Sequence, residues 1–80
     1  MTIKPAIVKR LLNICDSRNM ATNALATRSG ITPSTVYSLL EDSRKDMSVI
    51  TLKKLCDGLD VSLMEFFDSD IFADLEHEEK

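Results

Sequence analysis

The chain has few residues that break helices or favour strands: two Gly, two Pro, no Trp and 5% aromatic residues among 80. Apolar and polar residues nowhere alternate for long enough to predict a strand, which favours an all-α protein. No apolar run reaches the length of a signal sequence or a membrane span, so we expect a cytoplasmic protein. A chain of this length forms one domain with a modest core.

Cysteine and histidine are equally scarce, which argues against a disulfide framework and a metal site. Cys15 and Cys56 lie far apart in apolar helical patterns, and we expect both to be reduced and buried. His77, the single histidine, lies in a charged tail and is expected to be exposed. No nucleophile is paired with a base, so we expect no enzymatic activity, no metal and no cofactor.

Charge is distributed unevenly along the chain, although the net charge is only -3. Residues 1–56 contain nine Lys and Arg against four Asp and Glu, whereas residues 57–80 contain one Lys against nine acids. A basic excess followed by an acidic end is typical of an anion-binding surface joined to an acidic tail. An ordinary solvated surface would give the same distribution.

Helical periodicity predicts five short helices joined by short loops. In the first, Ile7, Leu11 and Ile14 form one apolar stripe and Val8, Leu12 and Cys15 a second, which predicts a wide buried face. In the fifth, Leu63, Phe66 and Phe67 are predicted to face inward. The predicted helices cover residues 5–17, residues 22–29, residues 33–41, a segment that follows Ser48 and a segment that follows Ser62.

Helix boundaries follow from residues that suit helix ends. Pro5 suits a first helical position, and Asn19 and Gly30 suit the left-handed conformation that ends a helix. Thr32 and Ser48 are predicted to cap the third and fourth helices, and Ser62 and Glu65 have the spacing of a reciprocal capping box. These residues predict where individual helices begin and end, independently of the apolar periodicity.

Residues 22–40 have the pattern of a helix-turn-helix, two short helices separated by Gly30, Ile31 and Thr32. Val36, Leu39 and Leu40 are predicted to anchor the following helix, so its outer face is small and polar. Short side chains let a helix approach the floor of a DNA major groove, and hydroxyls can bond base edges or phosphates. The outward-facing residues are Pro33, Ser34, Tyr37, Ser38 and Glu41.

The segments NALATRSGITPSTVYSLL (residues 23–40) and SVITLKKLCDGLDVSLMEFF (residues 48–67) resemble the small Cro/lambda-repressor-type (XRE) helix-turn-helix regulators. The resemblance covers roughly residues 6–67. It implies a compact, five-helix, lambda-repressor-like DNA-binding domain, which we assign to residues 1–68, followed by an acidic tail over 69–80 that is able to form a short helix. It also implies a transcriptional regulator, a repressor that acts as a dimer on a near-palindromic site in double-stranded DNA.

The resemblance assigns candidate DNA contacts. Four residues depart from the family pattern: Pro33 replaces a frequent Gln, Leu40 replaces a frequent Glu, and Asp42 and Asp60 each replace a frequent Gly. Arg28 joins the candidates as part of a basic patch that a solvated surface would also explain. The base-reading positions are Pro33, Ser34, Tyr37 and Ser38, and the phosphate contacts are Thr22, Asn23, Arg28, Thr35, Ser43, Arg44 and Lys45.

Two of these assignments have structural alternatives. Tyr37 would either contact a base or sugar or fold over the turn, and the hydroxyls of Ser34, Thr35 and Ser38 would either contact DNA or serve the helix start.

The acidic end carries apolar residues that would either dock on the domain or pair with a second subunit, and we favour self-association. A rival interpretation is a protein-binding module of the same fold, antitoxin-like or an antirepressor, that uses this acidic, apolar end. The predicted dimer-interface residues are Met64, Phe67, Ile71, Phe72 and Leu75.

Overall fold

A computed structural model describes residues 1–41, 43–44 and 46–78 of the chain. Within these residues all regular structure is helical, as the sequence predicts, and the domain measures 33 × 24 × 20 Å. None of the described helices has the length and hydropathy of a membrane span. The elements are α1 (Ile3–Ser17), α2 (Thr22–Ser29), α3 (Pro33–Leu40), α4 (Val49–Leu59), α5 (Leu63–Phe67) and a short 3-10 helix (Asp70–Phe72).

The predicted helix ends are confirmed at most positions. Gly30 takes the left-handed conformation at the end of α2, with φ at 71°, and Asn19 does so after α1, with φ at 52°. The Ser62–Glu65 capping box has both of its hydrogen bonds. The Oγ1 atom of Thr32 accepts from the amide of Thr35, and the Oγ atom of Ser48 accepts from the amide of Thr51.

Three details of the prediction are wrong. Helix α1 begins at Ile3, so Pro5 is its third residue; proline is tolerated there because amides of the first turn have no intrahelical acceptor. Phe67, which was predicted to face inward, is 38% exposed. The second stripe of α1 is only partly covered, since Leu12 is 47% exposed.

One core holds the helices together, and α2 packs more extensively against α4 than against any other element. A Cβ added to Gly58 would meet the Oγ atom of Ser29 and lie 3.0 Å from the Ser29 amide nitrogen, closer than ordinary van der Waals contact, so glycine suits this position. Burial raises the thiol pKa of both Cys15 and Cys56, which are free as predicted. The buried apolar residues are Ala6, Ile7, Leu11, Ile14, Cys15, Leu25, Ala26, Val36, Leu39, Leu52, Leu55, Cys56, Leu59 and Phe66.

Two arginine side chains bind the carbonyls at the C-terminus of α4, one from α2 and one from the end of α1. Arg28 Nε donates to the carbonyl of Gly58 at 2.8 Å, and Arg18 Nη1 donates to the carbonyl of Leu59. The last carbonyls of a helix have no intrahelical donor and carry partial negative charge, so guanidinium groups stabilise them.

Helix α1 holds two further helix ends in the same way. The Nζ atom of Lys4, a buried residue, donates to the carbonyl of Glu41 at 3.1 Å, just beyond α3. Arg10 donates to the carbonyls of Phe66 at 2.7 Å and Glu65 at 2.8 Å, at the end of α5. Part of the basic excess therefore serves the fold.

The acidic end of the chain folds back against α1, beginning with an aromatic cluster. The Phe72 ring centroid lies 4.8 Å from that of Phe67 and 5.9 Å from that of Phe66. The 3-10 helix that carries Phe72 packs on α1. Apolar contact therefore fixes the start of the tail.

Polar contacts then join the tail to the start of the chain. The carboxylate of Glu76 lies 2.6 Å from the amino group of Met1, whose hydrogen bond and charge lower the pKa of Glu76. Glu78 Oε2 accepts from the amide of Ile3 at 2.9 Å, and so satisfies a first-turn donor of α1.

Candidate nucleic-acid interface

Helix α3 lies on the surface with one face anchored in the core. Val36 and Leu39 are 0% and 2% exposed, whereas Tyr37, between them in sequence, is 53% exposed. Pro33 and Ser34 are exposed as well. The acidic tail packs on α1 and leaves these positions open to a ligand.

Hydroxyl groups cluster at the N-terminal end of α3. Thr32 Oγ1 donates to Thr35 Oγ1 at 2.8 Å and lies 3.4 Å from Ser34 Oγ. Each hydroxyl keeps further donor or acceptor capacity after these contacts. The start of α3 therefore presents adjacent hydroxyls together with the backbone amide of Ser34, because Pro33 has no N–H and the amide of Thr35 is bonded to Thr32 Oγ1. Hydroxyls and an amide in this position suit a phosphate or a base edge.

The loop after α3 brings a cation to the same surface. Arg44 Nη1 donates to Ser38 Oγ at 3.3 Å, so a predicted phosphate contact and a predicted base contact are adjacent. Ser43 Oγ donates to a Glu41 carboxylate oxygen at 3.5 Å. Lys45, a predicted phosphate contact, and Asp42, an acidic departure from the family pattern, lie outside the described residues.

Helix α2 offers a second anion-binding end. Thr22 and Asn23 form its first turn, after Ala21, whose side chain cannot cap. The amides of this turn lack intrahelical acceptors and are directed along the helix axis, which favours an anion such as a phosphate. Asn23 is exposed and Thr22 is half-buried.

The remaining phosphate candidates differ in whether their side chains already bond another part of the protein. Thr35 is exposed beside the α3 start. Arg28 is exposed, but its Nε atom is bonded to Gly58, so a phosphate contact would have to use the terminal nitrogens of its guanidinium.

A positioning residue escaped the sequence analysis. Lys4 bonds the carbonyl of Glu41 and ties the C-terminal end of α3 to α1. Lys4 and Glu41 are 37 residues apart in sequence, so no local pattern could indicate the contact. The orientation of α3 therefore depends on a lysine that lies just before the predicted start of the first helix at residue 5.

The five residues predicted at a dimer interface separate into two groups. Met64 is 85% exposed and Phe67 38% exposed, on α5. Ile71, Phe72 and Leu75 are half-buried, and Phe72 packs against the core of its own chain. The alternative in which the tail docks on the domain is therefore realised for Phe72.

Metal ligation has no candidate in the described part of the chain, where no three His, Cys, Asp or Glu residues form a group able to hold an ion. His77 is exposed.

Comparison with known protein families gives one match over most of the chain. Residues 10–70 match the family described as the Cro/C1-type HTH DNA-binding domain. The match includes α2, the turn at Gly30 and α3, together with α4 and α5. No curated protein and no solved structure gives a significant match.

Proposed function

Since the chain belongs to the Cro/C1-type helix-turn-helix DNA-binding family, we propose that it is a transcriptional repressor that binds a near-palindromic operator as a dimer. The observation that carries the proposal is the surface of α3, whose buried residues Val36 and Leu39 leave Ser34 and Tyr37 open to a major groove. Occupying a promoter would block transcription without any further domain.

Base recognition is proposed for the exposed face of α3. The hydroxyls of Ser34 and Ser38 can donate to or accept from base edges, and the Tyr37 ring can pack on a thymine methyl. Pro33 has no side-chain donor, so its contribution would be apolar contact and a fixed helix start. Readout would therefore use hydroxyls in place of a bidentate amide.

Phosphate contacts are proposed on both sides of α3. The first turn of α2, with Thr22 and Asn23, would bind one phosphate, and Arg44 with the adjacent loop would bind another. Thr35, Arg28, Ser43 and Lys45 complete the proposed set. These contacts would set the position of α3 in the groove.

The small number of basic side chains left without a partner in the described part of the fold supports binding as a dimer. Lys4, Arg10, Arg18 and Arg28 donate to helix-end carbonyls, and Lys53 pairs with Asp57. Fewer basic groups thus remain for phosphates than the composition suggests. A single module covers about 600–1,000 Å² of its surface on DNA, so two half-sites one helical turn apart would be needed for tight binding.

Selection of bound duplexes from a random pool, followed by sequencing, tests the proposal. We expect a two-fold symmetric site with half-sites about 34 Å apart. Affinity for the selected duplex should fall with salt at a log-log slope near -0.9 for each phosphate neutralised. Failure to enrich any duplex would contradict the proposal, and an enriched site without symmetry would contradict the dimer.

A further inference from the structure

Helix α1 begins without a cap from its own sequence. Thr2 occupies the N-cap position, but among the described residues its side chain bonds no amide of the first turn. The first turn contains no Asp or Glu that would interact favourably with the positive end of the helix dipole. Because the amides of a first turn lack intrahelical acceptors, this helix start needs an acceptor from elsewhere in the fold.

The acidic tail supplies that acceptor. Glu78 Oε2 accepts from the amide of Ile3 at 2.9 Å and places a carboxylate at the positive end of the helix dipole. A backbone bond holds the tail in register, since the amide of Glu76 donates to the carbonyl of Met1 at 3.0 Å. Phe72, which packs on the core, fixes the start of the same segment. A residue 75 positions away therefore caps the first turn of α1.

Lys4 connects this first turn to the end of α3. Its side chain is buried, and its Nζ atom donates to the carbonyl of Glu41 at 3.1 Å. The same carbonyl accepts from the amide of Arg44 at 3.2 Å. The guanidinium of Arg44 donates in turn to Ser38 Oγ. One carbonyl oxygen therefore joins α1 to the end of α3 and to the loop that carries a proposed phosphate contact.

We propose that Glu78 is a positioning residue for DNA binding. By capping the first turn of α1 it fixes the position of Lys4, and Lys4 fixes the carbonyl to which the Arg44 amide is bonded. The backbone of Arg44 then has a defined place from which its guanidinium reaches Ser38 or a phosphate. The proposal rests on the proposed DNA contacts of α3 and its loop, and it adds that the acidic tail takes part in positioning them.

Charge alone would give the tail a different role. Carboxylates near a DNA-binding surface repel phosphates, so their removal would raise the affinity for a duplex. The contacts favour positioning, because Glu78 is bonded to a helix amide and the tail packs on α1. The two roles predict opposite changes in duplex affinity when the Glu78 side chain is removed.

The amide protons of Ile3 and Arg44 test the proposal without DNA, because the chemical shift of an amide proton reports its hydrogen bond. Glu78→Ala removes the acceptor and should shift both resonances upfield in the folded chain. Glu78→Gln keeps an acceptor oxygen and should restore most of both shifts. The matched control His77→Ala removes an exposed neighbour in the tail and should leave both unchanged. An unchanged Arg44 resonance in Glu78→Ala would overturn the proposal, because the cap would then not reach α3.

The route through Lys4 is tested with Lys4→Met, which keeps an apolar stem and removes the donor. In this background Glu78→Ala should no longer shift the Arg44 resonance. A shift as large as that in the wild-type background would overturn the proposal, since the tail would then act on the loop without Lys4.

Affinity for the selected duplex is the second readout. Glu78→Ala should weaken binding about threefold, as expected for coupling through a few hydrogen bonds, and Glu78→Gln should bind nearly as tightly as the wild type. Equal gains in affinity for both variants would show repulsion by the tail and would overturn the proposal. If no duplex binds, the repressor proposal fails, whereas the amide resonances still decide whether Glu78 positions Arg44.

Discussion

The α2–α4 junction and the exposed face of α3 use polar groups in opposite ways. At the junction, Arg28 is bonded to a helix-end carbonyl, and the Oγ atom of Ser29 is buried with no hydrogen-bond partner among the described residues. On α3, Ser34 and Thr35 are hydroxyl residues open to solvent. Substitutions at the junction should therefore alter stability, whereas substitutions on the exposed face of α3 should alter ligand binding and leave the fold intact.

The largest effect is expected for Gly58→Ala at the junction. Alanine favours a helix by about 1 kcal/mol, but its Cβ would clash with Ser29, and overpacking costs about 1–3 kcal/mol. We expect a net loss of about 1 kcal/mol, and at most about 2 kcal/mol, in the free energy of unfolding, measured by urea denaturation.

Ser29→Ala is the control for that clash. It removes an unpartnered hydroxyl and should be neutral or stabilising. Combined with Gly58→Ala, it should recover part of the loss, because the hydroxyl is one of the atoms that the new Cβ meets. An unchanged stability in Gly58→Ala alone would show that the junction is not closely packed.

Arg28→Ala is expected to have the next largest effect. It removes a charged donor from the carbonyl of Gly58 and should cost about 1 kcal/mol of stability, consistent with a part-buried bond at a helix end. Thermal and urea unfolding measure this loss. If stability is unchanged and duplex affinity falls, the phosphate role predicted for Arg28 outweighs its structural one.

On the α3 surface, Ser34→Ala should change unfolding by less than about 0.5 kcal/mol. It should alter preference at one base pair of the selected site by about fivefold, since one hydroxyl contact is worth about 1 kcal/mol. Competition among duplexes that differ at single positions measures this change. A uniform loss over all duplexes would indicate a phosphate contact instead.

Arg44→Ala is the counterpart for phosphate binding. It should weaken all duplexes similarly, by a few-fold, and reduce the salt slope by about 1. Val49→Ala, which removes a side chain that is 72% exposed on α4, serves as a control for general surface change. A shift in base preference would show that Arg44 acts through Ser38, its hydrogen-bond partner.

The smallest effect is expected where a polar contact is fully exposed, at Met1 and Glu76. The pKa of Glu76 is lowered in the folded chain, so its contribution is present above the ordinary carboxyl pKa and is lost as pH falls through the lowered value. Protection of the amides of residues 70–78 from exchange, corrected for the intrinsic exchange rate at each pH, should therefore fall slightly in acid. Glu76→Gln should remove this part of the pH dependence, and an unaltered profile would show that the ion pair does not hold the tail.

Predictions from the sequence were most accurate for features that depend on one residue and its nearest neighbours in the chain. The caps at Thr32, Ser48 and Ser62 and the left-handed Gly30 are confirmed, because each depends on contacts within a few residues. Periodicity also predicted that Val36 and Leu39 face the core, and therefore that the opposite face of α3 is exposed. It was less accurate for Leu12, since the coverage of an apolar stripe depends on which helix lies opposite.

The five helices, their caps and the hydroxyl face of α3 can be predicted from the sequence alone, because these features depend on side chains one to four positions apart. The partners of the basic residues and the packing of the acidic tail depend on how the helices assemble. Arg28 and Arg10 donate to carbonyls 30 and 56 positions away. Helix-end carbonyls are backbone groups present in every sequence, so the choice of partner depends on which helix ends the packed core brings within reach.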